Sequence, residues 1–199
     1  MSNRDYIDAY LARMGAVLDD LPRPQIDAAI DLLYEAWGSG KAVYLAGNGG
    51  SASTASHFAC DLAKWTLCEG KPRFRVLALT DNMPLFSALM NDEGPDSVYA
   101  GQVEAWIGEG DVLVLISVHG GSGEGNAGAW SGNLLKALQV ARDRGARTLG
   151  LSGFDGGALK RLADVCIVVP VDSTPQVESF HLALQHLICD RLRQRIAAA

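Results

Sequence analysis

Two periodicities take turns along the chain. Ile7, Tyr10, Leu11, Met14 and Leu18 recur at helical spacing and predict an amphipathic helix over residues 4–18. Leu21-Pro22-Arg23-Pro24 interrupts that pattern. It resumes over 25–37, with Ile26, Ile30, Leu33 and Trp37 on one face, and Gly38-Ser39-Gly40 ends it. The period then changes. Ala42 to Ala46 is an unbroken apolar run of strand length, the kind that a parallel sheet buries on both faces. It stops in Gly47-Asn48-Gly49-Gly50, where the backbone can take positive φ and approach a ligand closely. Ser51 stands at the expected N-cap of a helix carrying His57, Phe58, Ala59, Asp61 and Leu62.

Further strands are predicted at 73–80, 111–117, 147–152 and 164–171, and helices at 84–90, 97–107, 134–144, 157–163 and 175–198. Trp130-Ser131-Gly132-Asn133 opens the third of these helices. Asn91-Asp92-Glu93-Gly94 reads as a turn, and the polar, glycine-rich run to Ala129 as a loop. Strands alternating with helices predict an α/β fold: a three-layer αβα sandwich with a mostly parallel sheet, prefaced by two helices. Two strands end in glycine, at Gly47 and at Ser117-Val118-His119-Gly120-Gly121. Both turns lie at carboxyl ends of strands, where open α/β sheets bind ligands.

Strand, glycine turn and helix N-terminus together make an anion site, because free N–H groups and the positive dipole end point outward. Gly47-Asn48-Gly49-Gly50-Ser51-Ala52 also fits the dinucleotide pattern G-x-G-x-x-A. That reading needs an acidic residue roughly 20 positions on, and the nearest, Asp81, comes too late. Two phosphate-friendly turns with serines at 51, 117 and 131 suit one sugar phosphate better.

Composition narrows the class. With 199 residues, 48% of them hydrophobic, one domain over 1–199 is expected, the helices of 1–38 leading into a core over 41–199. The 17 basic and 23 acidic residues are dispersed and give a net charge of −6, which argues against a nucleic-acid partner. No signal peptide is expected after Met1, and no apolar segment reaches the roughly 18–20 residues of a membrane span. Cys60, Cys68, Cys166 and Cys189 show no CxxC spacing. They read as reduced thiols of a cytosolic protein, three of them in the core. The apolar content of the 25–37 helix and of the C-terminal helix suggests a homo-oligomer.

The titratable residues add chemistry. His57 and Asp61 stand at i and i+4 and share a helix face just beyond the glycine turn. So spaced they can ligate one metal ion, act as base and orienting partner, or form a plain surface contact. His181 and His186 are separated by roughly 140° around a helix, so only one can face a given site. His119 sits in the second glycine turn, in reach of a substrate.

Taken together, Gly47-Asn48-Gly49-Gly50-Ser51, His57-Phe58-Ala59, Asn91-Asp92-Glu93-Gly94, Ile116-Ser117, Ser131-Gly132-Asn133, Asp155-Gly156-Gly157 and Thr174-Pro175 ahead of His181 and His186 carry a resemblance. Over nearly the whole chain they resemble the sugar isomerase (SIS) domain and, within it, the phosphoheptose isomerases. The resemblance implies a flavodoxin-like sandwich, a homotetramer with active sites between subunits, and aldose–ketose isomerisation of sedoheptulose 7-phosphate through an enediol. It implies that Asn48, Gly49, Gly50, Ser51, Asn91 and Asp92 bind substrate and that Ser117 and Ser131 hold phosphate. It puts His57, Asp61, Glu178 and His186 at the positions of zinc ligands, and Asp61 and His186 at those of base and acid. The chain departs from the family pattern in having Asp61 for Glu and Glu178 for Gln. It also has His119 in the phosphate loop and about nine extra residues before Ser131. A non-catalytic SIS module that binds a sugar phosphate or a partner protein is the rival expectation, and retention of His57, Asp61 and His186 favours the enzyme.

Overall fold

The computed structural model describes residues 1–121 and 131–199. Trp130 and most of the loop expected up to Ala129 lie outside the described residues. Helices α1 (Asn3–Asp20) and α2 (Arg23–Gly38) precede strand β1 (Ala42–Gly47) and helix α3 (Gly50–Lys64). The chain continues through β2 (Arg75–Ala78), α4 (Met83–Asp92), α5 (Ser97–Trp106), β3 (Val112–Ile116) and α6 (Gly132–Asp143). It finishes with β4 (Arg147–Gly153), α7 (Gly157–Leu162), β5 (Val165–Val169) and α8 (Thr174–Ala198). Every element expected from the periodicity is present, with ends within two residues of expectation.

The five strands form one parallel sheet in the order β2-β1-β3-β4-β5. Because strand residues alternate faces, the apolar runs feed two cores. Val43, Leu45, Val112, Val114 and Ile116 pack with Ile30, Leu33, Phe58, Leu62, Leu184 and Ile188 of α2, α3 and α8. Tyr44, Ala46, Leu113 and Leu115 pack with Tyr99, Val103, Leu134, Leu138 and Leu159 of α5, α6 and α7. That is the expected three-layer sandwich. The chain leaves β1 toward β2 on one side and toward β3 on the other, so the switch point lies between the carboxyl ends of β1 and β3.

Several expectations are corrected. Helix α3 starts at Gly50, with Gly49 at the cap in a φ 57, ψ −123 conformation that suits glycine, so Ser51 lies inside the first turn rather than at the cap. Asn91 and Asp92 belong to the last turn of α4, not to a turn after it. Of the cysteines only Cys189 is buried; Cys68 and Cys166 are intermediate and Cys60 is exposed, and all four are free thiols. The apolar face of α2 is consumed within the chain, with Ile26, Ala29, Ile30, Leu32, Leu33 and Ala36 all buried. Uncovered apolar surface lies on α1, where Tyr6, Ile7, Leu11 and Leu18 are exposed, on α4, which buries none of its residues, and on the C-terminal helix α8, where Leu182 and Leu187 are exposed. Among the described residues no helix is long and apolar enough to cross a membrane.

Candidate active site

A cleft of about 220 Å³ opens at the switch point, lined by Asn48 and Ser51 after β1, Ser117 and His119 after β3, Ser131 before α6, and Thr174 and Glu178 of α8. Its two loops are tied together. The amides of Asn48 and Asn133 donate to each other's carbonyl oxygens at 3.0 and 2.9 Å, and Asn133 Oδ1 also accepts the Leu134 N–H at 2.9 Å. Ser117 and Ser131 bring their hydroxyls within 3.4 Å. Behind the first turn the Tyr99 hydroxyl donates to the Gly47 carbonyl, and burial pushes that phenol up to about 12, so it stays a donor. A Cβ at Gly47 would meet Ser51 backbone at 2.5 Å, so the strand-to-helix turn closes only around glycine.

Three helices begin at this cleft, α3, α6 and α8, and no lysine or arginine occurs among the described residues lining it. An anion here would be held by hydroxyls and backbone N–H groups. Glu178 reaches the same corner: a Cβ at Gly50 would come 2.3 Å from its Oε1, so the missing side chain of Gly50 leaves room for the carboxylate.

Roughly 9–15 Å beyond Ser51, at 1.5 Å per residue, α3 and α8 bring the titratable residues together. His57 Nε2 lies 3.5 Å from Asp61 Oδ2, and His186 Nε2 lies 3.4 Å from the same oxygen. The two Nε2 atoms are 3.4 Å apart and the rings meet edge to face. Asp61 is the sheltered member, its side chain 19% exposed against 46% for His57 and 52% for His186. A second cavity of about 310 Å³ opens beside them, lined by Asp61, Trp65, His186 and Asp190.

Of the two histidines on α8, His186 joins this group. His181 turns inward, fully buried, with Nε2 3.1 Å from the Ser152 carbonyl, and burial pushes its pKa down to about 4. Glu178 remains beside Gly50 rather than with His57, Asp61 and His186. Asn91 and Asp92 are exposed at the end of α4 and bond to each other at 2.6 Å, outside the cleft lining. Sequence reasoning did not single out Tyr99, Trp65 or Asp190, and Thr174 entered only through the resemblance. Trp65 and Asp190 carried a signal, since each follows Asp61 or His186 by one helical turn.

A family model described as SIS domain matches residues 5–153. The lincomycin biosynthesis protein LmbN of Streptomyces lincolnensis is 45% identical over 183 residues, covering 90% of this chain, which spans 66% of LmbN's length. The phosphoheptose isomerase of Geotalea daltonii is 39% identical over 175 residues, covering 87% of this chain and 85% of its own. The solved structure of a phosphoheptose isomerase from Francisella tularensis superposes with a TM-score of 0.86 at 28% identity, covering 98% of this chain and all of that one. The fold, the switch-point cleft and these likenesses agree, and the chain belongs to the SIS domain family and, within it, to the phosphoheptose isomerases.

Proposed function

We propose that the chain is a phosphosugar isomerase converting sedoheptulose 7-phosphate to D-glycero-D-manno-heptose 7-phosphate through an enediol. The observation that carries this reading is the spacing of two features: an anion cleft whose described lining holds no lysine or arginine, and an Asp61–His186 contact about 12–15 Å on, counted from Glu178 on α8 and from Ser51 on α3. One extended sugar phosphate spans that interval, its phosphate at Ser51, Ser117 and Ser131 and its carbonyl end at Asp61. Held at the phosphate, the substrate presents C1 and C2 to a fixed base, which turns remote binding energy into orientation.

In this reading Asp61 takes the proton from C1 of the ketose and returns it to C2. His186 protonates the carbonyl oxygen at C2 and is reprotonated by taking the proton of the C1 hydroxyl as the aldehyde forms. Asn48, Gly49 and Gly50 line the path of the sugar, with Asn91 and Asp92 offered from the exposed end of α4. Direct contact between Asp61 and His186 favours this enzyme over a non-catalytic SIS module.

The same three side chains suit zinc. Separations of 3.4–3.5 Å among His57 Nε2, Asp61 Oδ2 and His186 Nε2 match the edge of about 3.4 Å of a tetrahedron with 2.0–2.1 Å bonds. A bound zinc ion would act as a Lewis acid toward substrate oxygens. The second oxygen of Asp61 remains for the carbon proton. Glu178 would join such a set only by leaving Gly50. We further assign the protein to the cytosol, in keeping with its free thiols, and to a homotetramer, in keeping with the exposed apolar faces of α1 and α4.

Incubation with sedoheptulose 7-phosphate in D2O tests the reaction. Deuterium is expected at C1 of recovered ketose and at C2 of the aldose. Tight binding without exchange or aldose would leave the non-catalytic module as the function.

A further inference from the structure

We propose that Phe154 is a positioning residue: its ring holds the His119 imidazole over the cleft, an inference that rests on reading that cleft as the phosphate cradle. Phe154 follows β4 directly and has φ 52, the left-handed region that a bulky side chain occupies only when its surroundings impose it. Glycines stand on both sides, at 153, 156 and 157, yet the position that bends carries a phenyl ring. That ring lies 4.3 Å from the His119 ring, centroid to centroid, tilted by 42°.

The two loops that carry these rings are locked backbone to backbone. Gly153 N–H donates to the Val118 carbonyl at 2.8 Å, and Leu159 N–H to the Gly120 carbonyl at 2.8 Å. A Cβ on Gly120 would come 2.0 Å from the Gly156 carbonyl oxygen, and one on Gly157 would come 2.2 Å from the His119 carbonyl oxygen. With the backbone of His119 fixed in this way, the freedom left to its side chain is rotation about two bonds. The ring contact with Phe154 restricts that rotation in a residue that lines the same cleft as Ser51, Ser117 and Ser131. A donor held in place before the substrate arrives costs less to order on binding.

The test is a double-mutant cycle on KM and kcat for sedoheptulose 7-phosphate. Phe154→Gly is the informative variant, since glycine takes φ 52 freely and the fold is expected to survive. His119→Asn and Phe154→Gly are each expected to raise KM by about three- to tenfold with kcat within about twofold of wild type. The double variant should be no worse than the worse single one, because both remove the same contact. Phe154→Tyr keeps the ring and should restore the wild-type KM, while melting temperatures do not track the KM changes. Multiplying effects in the double variant, or a wild-type KM in Phe154→Gly, would overturn the proposal. An unchanged KM in His119→Asn beside a raised one in Ser117→Ala would also overturn it while sparing the cradle. If Ser51→Ala and Ser117→Ala both leave KM unchanged as well, the cradle falls with it.

Discussion

At the scale of single residues, the site turns on which atoms of α3 and α8 face each other. Asp61 is the partly sheltered carboxylate between two half-exposed imidazoles. Asp61→Asn keeps the shape and most hydrogen bonding but removes the base, so turnover is expected to fall by ~10²–10⁴ with an unchanged melting curve. Retention of more than about a tenth of wild-type turnover would move the base elsewhere, with His119 the next residue to replace. Asp61→Glu adds one methylene where both imidazoles already stand at 3.4–3.5 Å, and is expected to impair turnover too. Purified protein is expected to carry close to one zinc ion per chain by elemental analysis, and His57→Ala to lose it. Full activity in metal-free wild type would remove the ion from the chemistry. Much of this was legible from spacing: the step of four positions from His57 to Asp61 fixes a shared face. Spacing was silent on the choice between His181 and His186, since 140° says only that they diverge. The choice follows from the sheet beneath α8, which turns His181 onto Ser152 and His186 outward.

At the scale of elements, the same helix that presents His186 buries a neutral histidine, and this has a pH consequence. Unfolded, His181 takes up a proton near pH 6.5; folded, burial delays this to about pH 4. Between those values the unfolded chain binds more protons, so stability is retained above pH 6.5 and lost as pH falls toward 4, by at most roughly 3 kcal/mol. His181→Gln preserves a donor for the Ser152 carbonyl and should flatten that part of a urea-unfolding series between pH 7 and 4.5. The glycine turns make a second contrast. Gly120→Ala forces a Cβ at φ 64 onto the Gly156 carbonyl, a backbone atom that cannot step aside, and should cost roughly 2–3 kcal/mol in denaturant unfolding. Gly50→Ala meets only the movable end of Glu178 at an ordinary helical φ, so it should fold normally and displace the carboxylate. Strands and helices were legible because both faces of the sheet are covered, which leaves unbroken apolar runs in the strands. The start of α3 was misread because a serine after glycines looks like a cap, whereas the required backbone conformation belongs to Gly49.

At the scale of the whole molecule, the sequence shows which faces are apolar but not what covers them. The face of α2 expected to reach another subunit is spent inside the chain, and the surplus lies on α1, on α4 and, at Leu182 and Leu187, on α8. On α1, Ile7, Leu11 and Leu18 are 53%, 61% and 53% exposed, and Val17 is the residue of that helix that is buried. The titratable group is equally uncovered: His57 and His186 are about half exposed, yet moving a proton from carbon works best with water excluded. Both shortfalls have one remedy, association of identical chains that covers α1 and α4 and closes the site. Light scattering at micromolar concentration should therefore report an oligomer of four chain masses. Ile7→Asp with Leu11→Asp places charge on that exposed stripe without touching either core, so each chain should keep its helical circular dichroism. The assembly should weaken and turnover should fall with it, recovering as protein concentration rises. A wild-type monomer with full activity would show that α1 and α4 are ordinary surface and that the site is complete within one chain.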